Sequence, residues 1–306
     1  MDARFYRDLS RYGPHRSYAP VTRSAARLYC REFATGHYEN FSVASLLLPR
    51  RLLQHFYNIY AYCRWADDLA DETGGGTRSL ALLRWWREEL LDVYHGRPHH
   101  PVMVALQETI EQFKIPSDPF VHLLFAFEQD QLIKRYETME QVMQYCRWSA
   151  NPVGHLVLYL CDSYSPRQVE LSDYICTGLQ LANFWQDVAR DHAIGRVYIP
   201  QHERVRFGYS EADLHAHRYN DKFVDLMRFL VDHARDLFYR GFPLVDLMPT
   251  HVQADIELFL RGGLSILRKI EKLHYNVWRT RPKLSKREKL GLIGRVAWRQ
   301  VRAWLS

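Results

Sequence analysis

Apolar residues return every third or fourth position along almost the whole chain, and this period confines the fold to packed helices. Leu52, Phe56, Ile59, Cys63, Ala66 and Ala70 form one such stripe. Comparable patterns run over 80–94, 102–113, 119–136, 140–160, 169–191, 211–238 and 252–278. The breaks carry turn chemistry: Gly74-Gly75-Gly76, Gly96-Arg97-Pro98, Pro116 to Pro119, Gly195 and Gly241-Phe242-Pro243. Ser172 and Asp173 read as lying near a helix start. Residues 196–200 are extended in character, but one short run makes no sheet. With no repeat and no long linker, the 306 residues are expected to form one all-α domain spanning 1–306.

Several classes fall away on composition. Fifteen Gly and 13 Pro are too few for a collagenous or low-complexity chain. The longest uncharged stretch worth testing, Trp148 to Cys161, is too short to span a bilayer and contains Asn151, Pro152 and His155. The opening residues carry charge where a signal peptide needs an apolar core. The five cysteines show no CxxC or Cys/His metal spacing, so they read as reduced thiols of a cytoplasmic protein. No GxGxxG strand–helix unit is present.

The charge is unevenly distributed. From Arg261 onward there are 13 Lys/Arg against two acids, Glu271 and Glu288, whereas the rest of the chain has 28 basic and 33 acidic residues. Trp278, Trp298 and Trp304 are interleaved with this basic stretch. Three readings compete: a solvated helix face, contact with anionic lipid headgroups, and nucleic-acid binding. The last has no recognised motif beside it.

Two acidic segments at helical spacing carry the chemistry. In the first, Arg64 to Glu72, Asp67 and Asp71 are four apart and share a helix face. At ~100° per residue, Asp67 falls within about 40° of Tyr60 and Cys63, on the inward side, while Asp68 is expected to point away. In the second, Asn183, Asp187 and Asp191 form a ladder of steps of four over roughly 12 Å of axis, with Gln180 in line one turn earlier. Leu179, Leu181, Ala182, Phe184, Trp185 and Val188 make the rest of that helix apolar. Taken singly, each aspartate reads as solvated surface. Taken together they call for a cation, because like charges at i,i+4 cost roughly 0.2–0.5 kcal/mol in water and far more when buried. Lys and Arg look too sparse on these faces, which leaves a divalent metal. An all-oxygen donor set suits Mg²⁺, a hard ion that keeps waters and recruits substrate phosphates.

The chain resembles the squalene/phytoene synthase family, which joins prenyl diphosphates head to head. The resemblance lies in His37-Tyr38-Glu39-Asn40-Phe41-Ser42, Tyr60 to Arg64 leading into Asp67–Asp71, Tyr145 to Gly154, Gln180 to Asp191, and Gly195 to Pro200. It implies an isoprenoid synthase (class I terpenoid synthase) fold, a helical bundle around a central cavity. It also implies Mg²⁺ as cofactor, ligated by Asp67, Asp71, Asn183, Asp187 and Asp191. By the same resemblance His37, Tyr38, Glu39, Asn40, Tyr60, Arg64, Gln180 and Gln186 contact the prenyl diphosphate. Tyr145 matches a tyrosine beside the reacting carbons, a candidate for proton transfer or cation stabilisation; without the resemblance it reads as a core phenol. Tyr38 and Asn40 stand where relatives often have small hydroxyl residues. Asp130, in a polar run of a middle helix, is a further candidate for the cavity.

Within the family, His37 to Phe41, Ser149 to Gly154 and Asn183 to Asp187 are most similar to bacterial hopanoid-pathway enzymes, in particular the one that converts presqualene diphosphate to hydroxysqualene. A squalene or phytoene synthase, condensing two farnesyl or geranylgeranyl diphosphates, is the alternative in the same class. A basic helical nucleic-acid-binding module and a helical interaction protein are the alternatives outside it. The basic segment 279–306 is expected to touch a membrane surface peripherally, at its cytoplasmic side.

Overall fold

The computed structural model describes residues 3–36 and 49–305. Among them the chain is helical throughout; the one β feature is an isolated parallel bridge between Arg135 and Val197. In chain order the helices are α1 (Ala3–Tyr12), α2 (Arg23–Gly36), α3 (Arg50–Asp71), α4 (Gly76–Tyr94), α5 (Pro101–Phe113), α6 (Asp118–Leu132), α7 (Met139–Ser149) and α8 (Asn151–Leu160). They continue with α9 (Pro166–Ala193), α10 (Gln201–Arg206), α11 (Glu211–His215), α12 (Asp221–Gly241), α13 (Leu244–Leu247), α14 (Thr250–Lys272) and α15 (Lys286–Leu305). The chain divides into two units, Met1–Leu132 with His155–Asp162, and Ile133–Gly154 with Ser163–Ser306.

In the first unit α3 is the central element, packed against α2, α4, α5 and α6. That explains a pattern the stripe reading did not anticipate. Beyond Leu52, Ile59, Ala66 and Ala70, it also buries His55, Asn58, Tyr62, Trp65 and Asp68. Trp65 stacks on Trp86 at 5.3 Å, and the edge of His100 meets both rings at 4.6 and 4.8 Å. Burial holds the His100 imidazole well below its ordinary pKa, so it is neutral, and its Nδ1 accepts from the Val102 amide at the start of α5. Past α3 the backbone turns through Gly74, Gly75 and Gly76 at φ of +95°, +75° and +61°, a run that only glycine adopts without strain.

In the second unit α9 runs for 28 residues against α12, α14 and α7. Its start is Ser165, whose hydroxyl accepts from the Gln168 amide, followed by Pro166 at the first helical position. Ser172 and Asp173 therefore lie inside the helix; the hydroxyl and carboxylate signal was read about two turns late. The helix ends where Gly195 takes φ +79° and the Arg196 amide returns to the Asp191 carbonyl at 2.8 Å. Within residues 196–200 Val197 makes the single bridge to Arg135, its amide donating to the Lys134 carbonyl at 2.8 Å, and the chain bends at Ile199. Other boundaries differ from the periodicity too, and the 119–136 run already ends at Leu132. The 140–160 run breaks at Ala150 before Pro152, the 211–238 run is interrupted by residues 216–220, and the last run ends at Lys272 instead of 278.

Candidate functional site

The first acidic segment is the last turn and a half of α3. Arg64 organises it: Nη1 donates to Asp67 at 2.8 Å, and Nη2 pairs with Asp68 at 2.7 Å. Burial works against the Arg64 charge, but Asp67 and Asp68 outweigh it and keep the guanidinium ionised. The aspartates are not where the helical wheel put them. Asp68 is 1% exposed, whereas the Asp67 side chain is 39% exposed and Asp71 lies on the surface. A helix covered on most sides has no single inward stripe, so the residue expected to face away is the one enclosed. Tyr60, one turn before Arg64, is half-buried, and burial raises its phenol above the ordinary value. Asp130, on α6 of this unit, is 7% exposed. His37, Tyr38, Glu39 and Asn40 lie outside the described residues.

The second segment lies on α9. Asp187 is 7% exposed, Asp191 and Gln180 half-buried, and Asn183 exposed. Asp187 is therefore the most enclosed rung of the ladder, with Asn183 and Asp191 on either side more open. Burial, and then the neighbouring Asp187 charge, push the Asp191 carboxyl up to about 7. Asp187 is held by Arg281, whose Nε and Nη2 fork onto its two oxygens, the second at 2.8 Å. Arg190 stands 3.8 Å away as a more exposed second cation. Gln186 donates from Nε2 to the Pro282 carbonyl at 2.6 Å. A small cleft beside the ladder is lined by Phe184, Val188, Asp191, His192, Arg196 and Tyr198.

Tyr145, 4% exposed on α7, belongs to this second unit. Its ring sits 6.1 Å from Phe184, 5.7 Å from Tyr136 and 5.9 Å from Tyr198. Tyr198 in turn stacks on Phe184 at 3.7 Å with the planes 7° apart. Phe184 follows Asn183 directly, so the extended segment, α7 and the acidic helix are joined by one group of rings. Tyr136 and Tyr198 were not singled out in the sequence, although Tyr198 sits in the 196–200 run that was.

One expectation is corrected outright. The spacing leaves too few Lys and Arg on the acidic faces, yet each face has an arginine: Arg64 three and four residues before its partners, and Arg281 brought from 94 residues along the chain. Spacing could have given the first pair. Nothing local could have given the second. A metal is therefore not needed merely to balance charge, and what favours one is the donor chemistry of these residues. Asp67, Asp71, Asn183, Asp187 and Asp191 offer only carboxylate and amide oxygens, the set that a hard divalent ion prefers. Among the described residues no group of three or more His, Cys, Asp or Glu closes into a metal cage. Mg²⁺ is commonly held by one or two carboxylates with waters and substrate phosphates, so these residues fit it.

A family model described as squalene/phytoene synthase matches residues 34–288. The crystal structure of squalene synthase HpnC from Alicyclobacillus acidocaldarius is similar at a TM-score of 0.80 and 40% identity, covering 84% of this chain and 97% of that one. A dehydrosqualene synthase solved in complex with ligand is similar at a TM-score of 0.79 and 27% identity, covering 90% and 96%. Phytoene synthase from Arthrospira platensis is 28% identical over 275 residues, 86% of this chain and 89% of that protein. The matched residues take in both acidic segments and Tyr145, and on that footing the chain belongs to the squalene/phytoene synthase family, an enzyme of the all-α isoprenoid synthase fold.

Proposed function

We propose that this enzyme converts presqualene diphosphate to hydroxysqualene, with Mg²⁺ as cofactor, as one step of squalene and hopanoid synthesis. The observation that carries the reading is the 40% identity to squalene synthase HpnC across 84% of the chain. The reaction breaks the carbon–oxygen bond to diphosphate, rearranges the cyclopropylcarbinyl cation and adds water, so that alcohol, diphosphate and a proton leave. It needs no hydride donor.

Asp67 and Asp71 on α3, and Asn183, Asp187 and Asp191 on α9, would hold the metal. Bound there, Mg²⁺ supplies positive charge to the leaving diphosphate. Arg64, Tyr60, Gln180 and Gln186, with His37, Tyr38, Glu39 and Asn40, bind the same anion; the guanidinium of Arg64 has the fork that oxygen anions favour. Tyr145 presents a ring face to the cation, in company with Tyr136, Phe184 and Tyr198. These four rings are each at most 8% exposed, which keeps bulk water from quenching the cation early. The family match runs through both units, which supports one functional domain over 1–306. The protein is proposed to work in the cytoplasm, with its basic segment 279–306 against the membrane.

The phytoene synthase relatives favour a second reading, head-to-head condensation of two prenyl diphosphates. Incubating the purified protein and Mg²⁺ with presqualene, farnesyl or geranylgeranyl diphosphate, and identifying products by mass spectrometry, separates the two. Asp67→Ala and Asp187→Ala should each lower diphosphate release from presqualene diphosphate on the order of 10²-fold or more. Wild-type release by either variant, with its fold intact by circular dichroism, overturns the reading.

A further inference from the structure

Residues 273–285 join α14 to α15, and they run along the acidic ladder of α9 held at several points. Trp278 stacks on His217 at 4.3 Å with the planes 10° apart, and meets the edge of His192 at 5.7 Å. Pro282 is buried and accepts from Gln186. Ser285 closes the segment as the start of α15, its amide and hydroxyl both donating to Glu288 at 2.7 Å. Between these anchors Arg281 makes its fork onto Asp187, with the aspartate side chain 10% and the arginine 29% exposed.

The fork has a consequence for any metal at Asp187. A carboxylate offers about four lone-pair directions, and a bidentate guanidinium takes one on each oxygen. A divalent ion brought to the same oxygens would face a permanent positive charge beside a carboxylate that is only 10% exposed. Arginine cannot relieve this by losing its proton. Metal binding at Asp187 and the Arg281 fork therefore oppose each other, and by linkage whatever weakens one strengthens the other.

We propose that Arg281 is a resident stand-in for the metal: it neutralises Asp187 in the empty enzyme, and metal loading drives it off, shifting the 276–285 strap and the Trp278 ring with it. The inference rests on Asp187 being a metal ligand, as proposed above, and goes beyond that in making the strap a metal-linked latch. It gives Arg281 a task when no metal is bound, because the other cation near the largely buried carboxylate, Arg190 at 3.8 Å, is mostly exposed.

The test is Mn²⁺ binding to the full-length protein without diphosphate, followed by electron paramagnetic resonance of the free ion. Arg281→Gln should bind Mn²⁺ on the order of tenfold more tightly than wild type, the usual size of a coupling between linked sites. Arg281→Lys, a point charge that cannot fork, should fall between them and serves if the glutamine variant does not fold. Mn²⁺ should also change the tryptophan emission of wild type, and Trp278→Phe should lose that change. Equal or weaker Mn²⁺ binding by the Arg281 variants, or emission that ignores the metal, overturns the latch while leaving the metal site standing. Absence of Mn²⁺ binding by wild type and Arg281→Gln alike, or undiminished binding by Asp187→Asn, overturns both.

Discussion

Asp67 and Asp68 are neighbours in sequence, yet the fold gives them opposite environments. One is open enough to meet a ligand; the other is sealed beneath Arg64, where its charge is tied to the helix it sits on. Buried carboxylates of the sealed kind tie stability to pH. Asp255 on α14 is the clearest, 2% exposed with neither oxygen bonded to another residue, and burial pushes it up to about 7. Below about pH 4 its carboxyl is neutral in the folded and unfolded chains alike. As pH rises the unfolded chain gives up the proton first, while the folded chain keeps it until near pH 7, so stability falls across that window and then levels off. Asp255→Asn should remove this slope, a change of on the order of 3 kcal/mol between pH 4.5 and 7.5 relative to wild type. Urea unfolding at the two pH values measures it, and parallel wild-type and variant values would refute the assignment.

At the scale of elements, the periodicity located the cores of the helices well and their ends less well. The α9 boundaries depended on Ser165 and Gly195, which are local and readable. The breaks at Ala150 and at 216–220 fell inside patterns that stayed apolar at helical spacing. What holds α9, α12 and α14 at close range is a feature no periodicity shows. The Phe238 ring from α12 lies between Gly178 of α9 and Gly263 of α14, and a Cβ on Gly178 would sit 3.2 Å from it. One on Gly263 would fall inside the van der Waals envelope of that ring, which is wholly buried and has nowhere to turn. Alanine would ordinarily favour a helix interior by about 1 kcal/mol over glycine. Here overpacking reverses the sign, and Gly263→Ala should destabilise by roughly 1–3 kcal/mol net. Thermal unfolding of the purified variant decides it; a raised Tm would mean the helices separate more easily than the packing implies.

For the molecule as a whole, the separation of charge is the feature with an outward consequence. No helix among the described residues is long and apolar enough to cross a membrane. In α15, Leu292 and Val296 are buried on the side that packs toward α14, and Lys269 pairs with Glu288 at 2.9 Å. Leu290 and Trp298 stand 66% and 63% exposed, in company with exposed Arg287 and Arg295. Basic residues around exposed apolar ones suit an anionic bilayer surface, where each charge is worth about 1 kcal/mol. The protein should pellet with vesicles containing phosphatidylglycerol, less with pure phosphatidylcholine, and less again in high salt. Leu290→Asp with Trp298→Ala should abolish the pelleting. Binding that ignores lipid charge and both substitutions would rule the surface out; salt-sensitive binding to RNA instead would revive the nucleic-acid reading.

By itself the sequence determined the class of fold, because a 3.6-residue period leaves helices as the only economical way to bury so many apolar side chains. It also marked the residues able to do chemistry, since carboxylates four apart on apolar helices are costly unless something uses them. Asp67, Asp71, Asn183, Asp187, Asp191 and Tyr145 were all legible in this way or through the family's motifs. Only the tertiary structure decided which of those carboxylates meets solvent and which arginine answers it. Exposure depends on what covers a helix from every side, and a partner such as Arg281 arrives from 94 residues away through packing that no local spacing records.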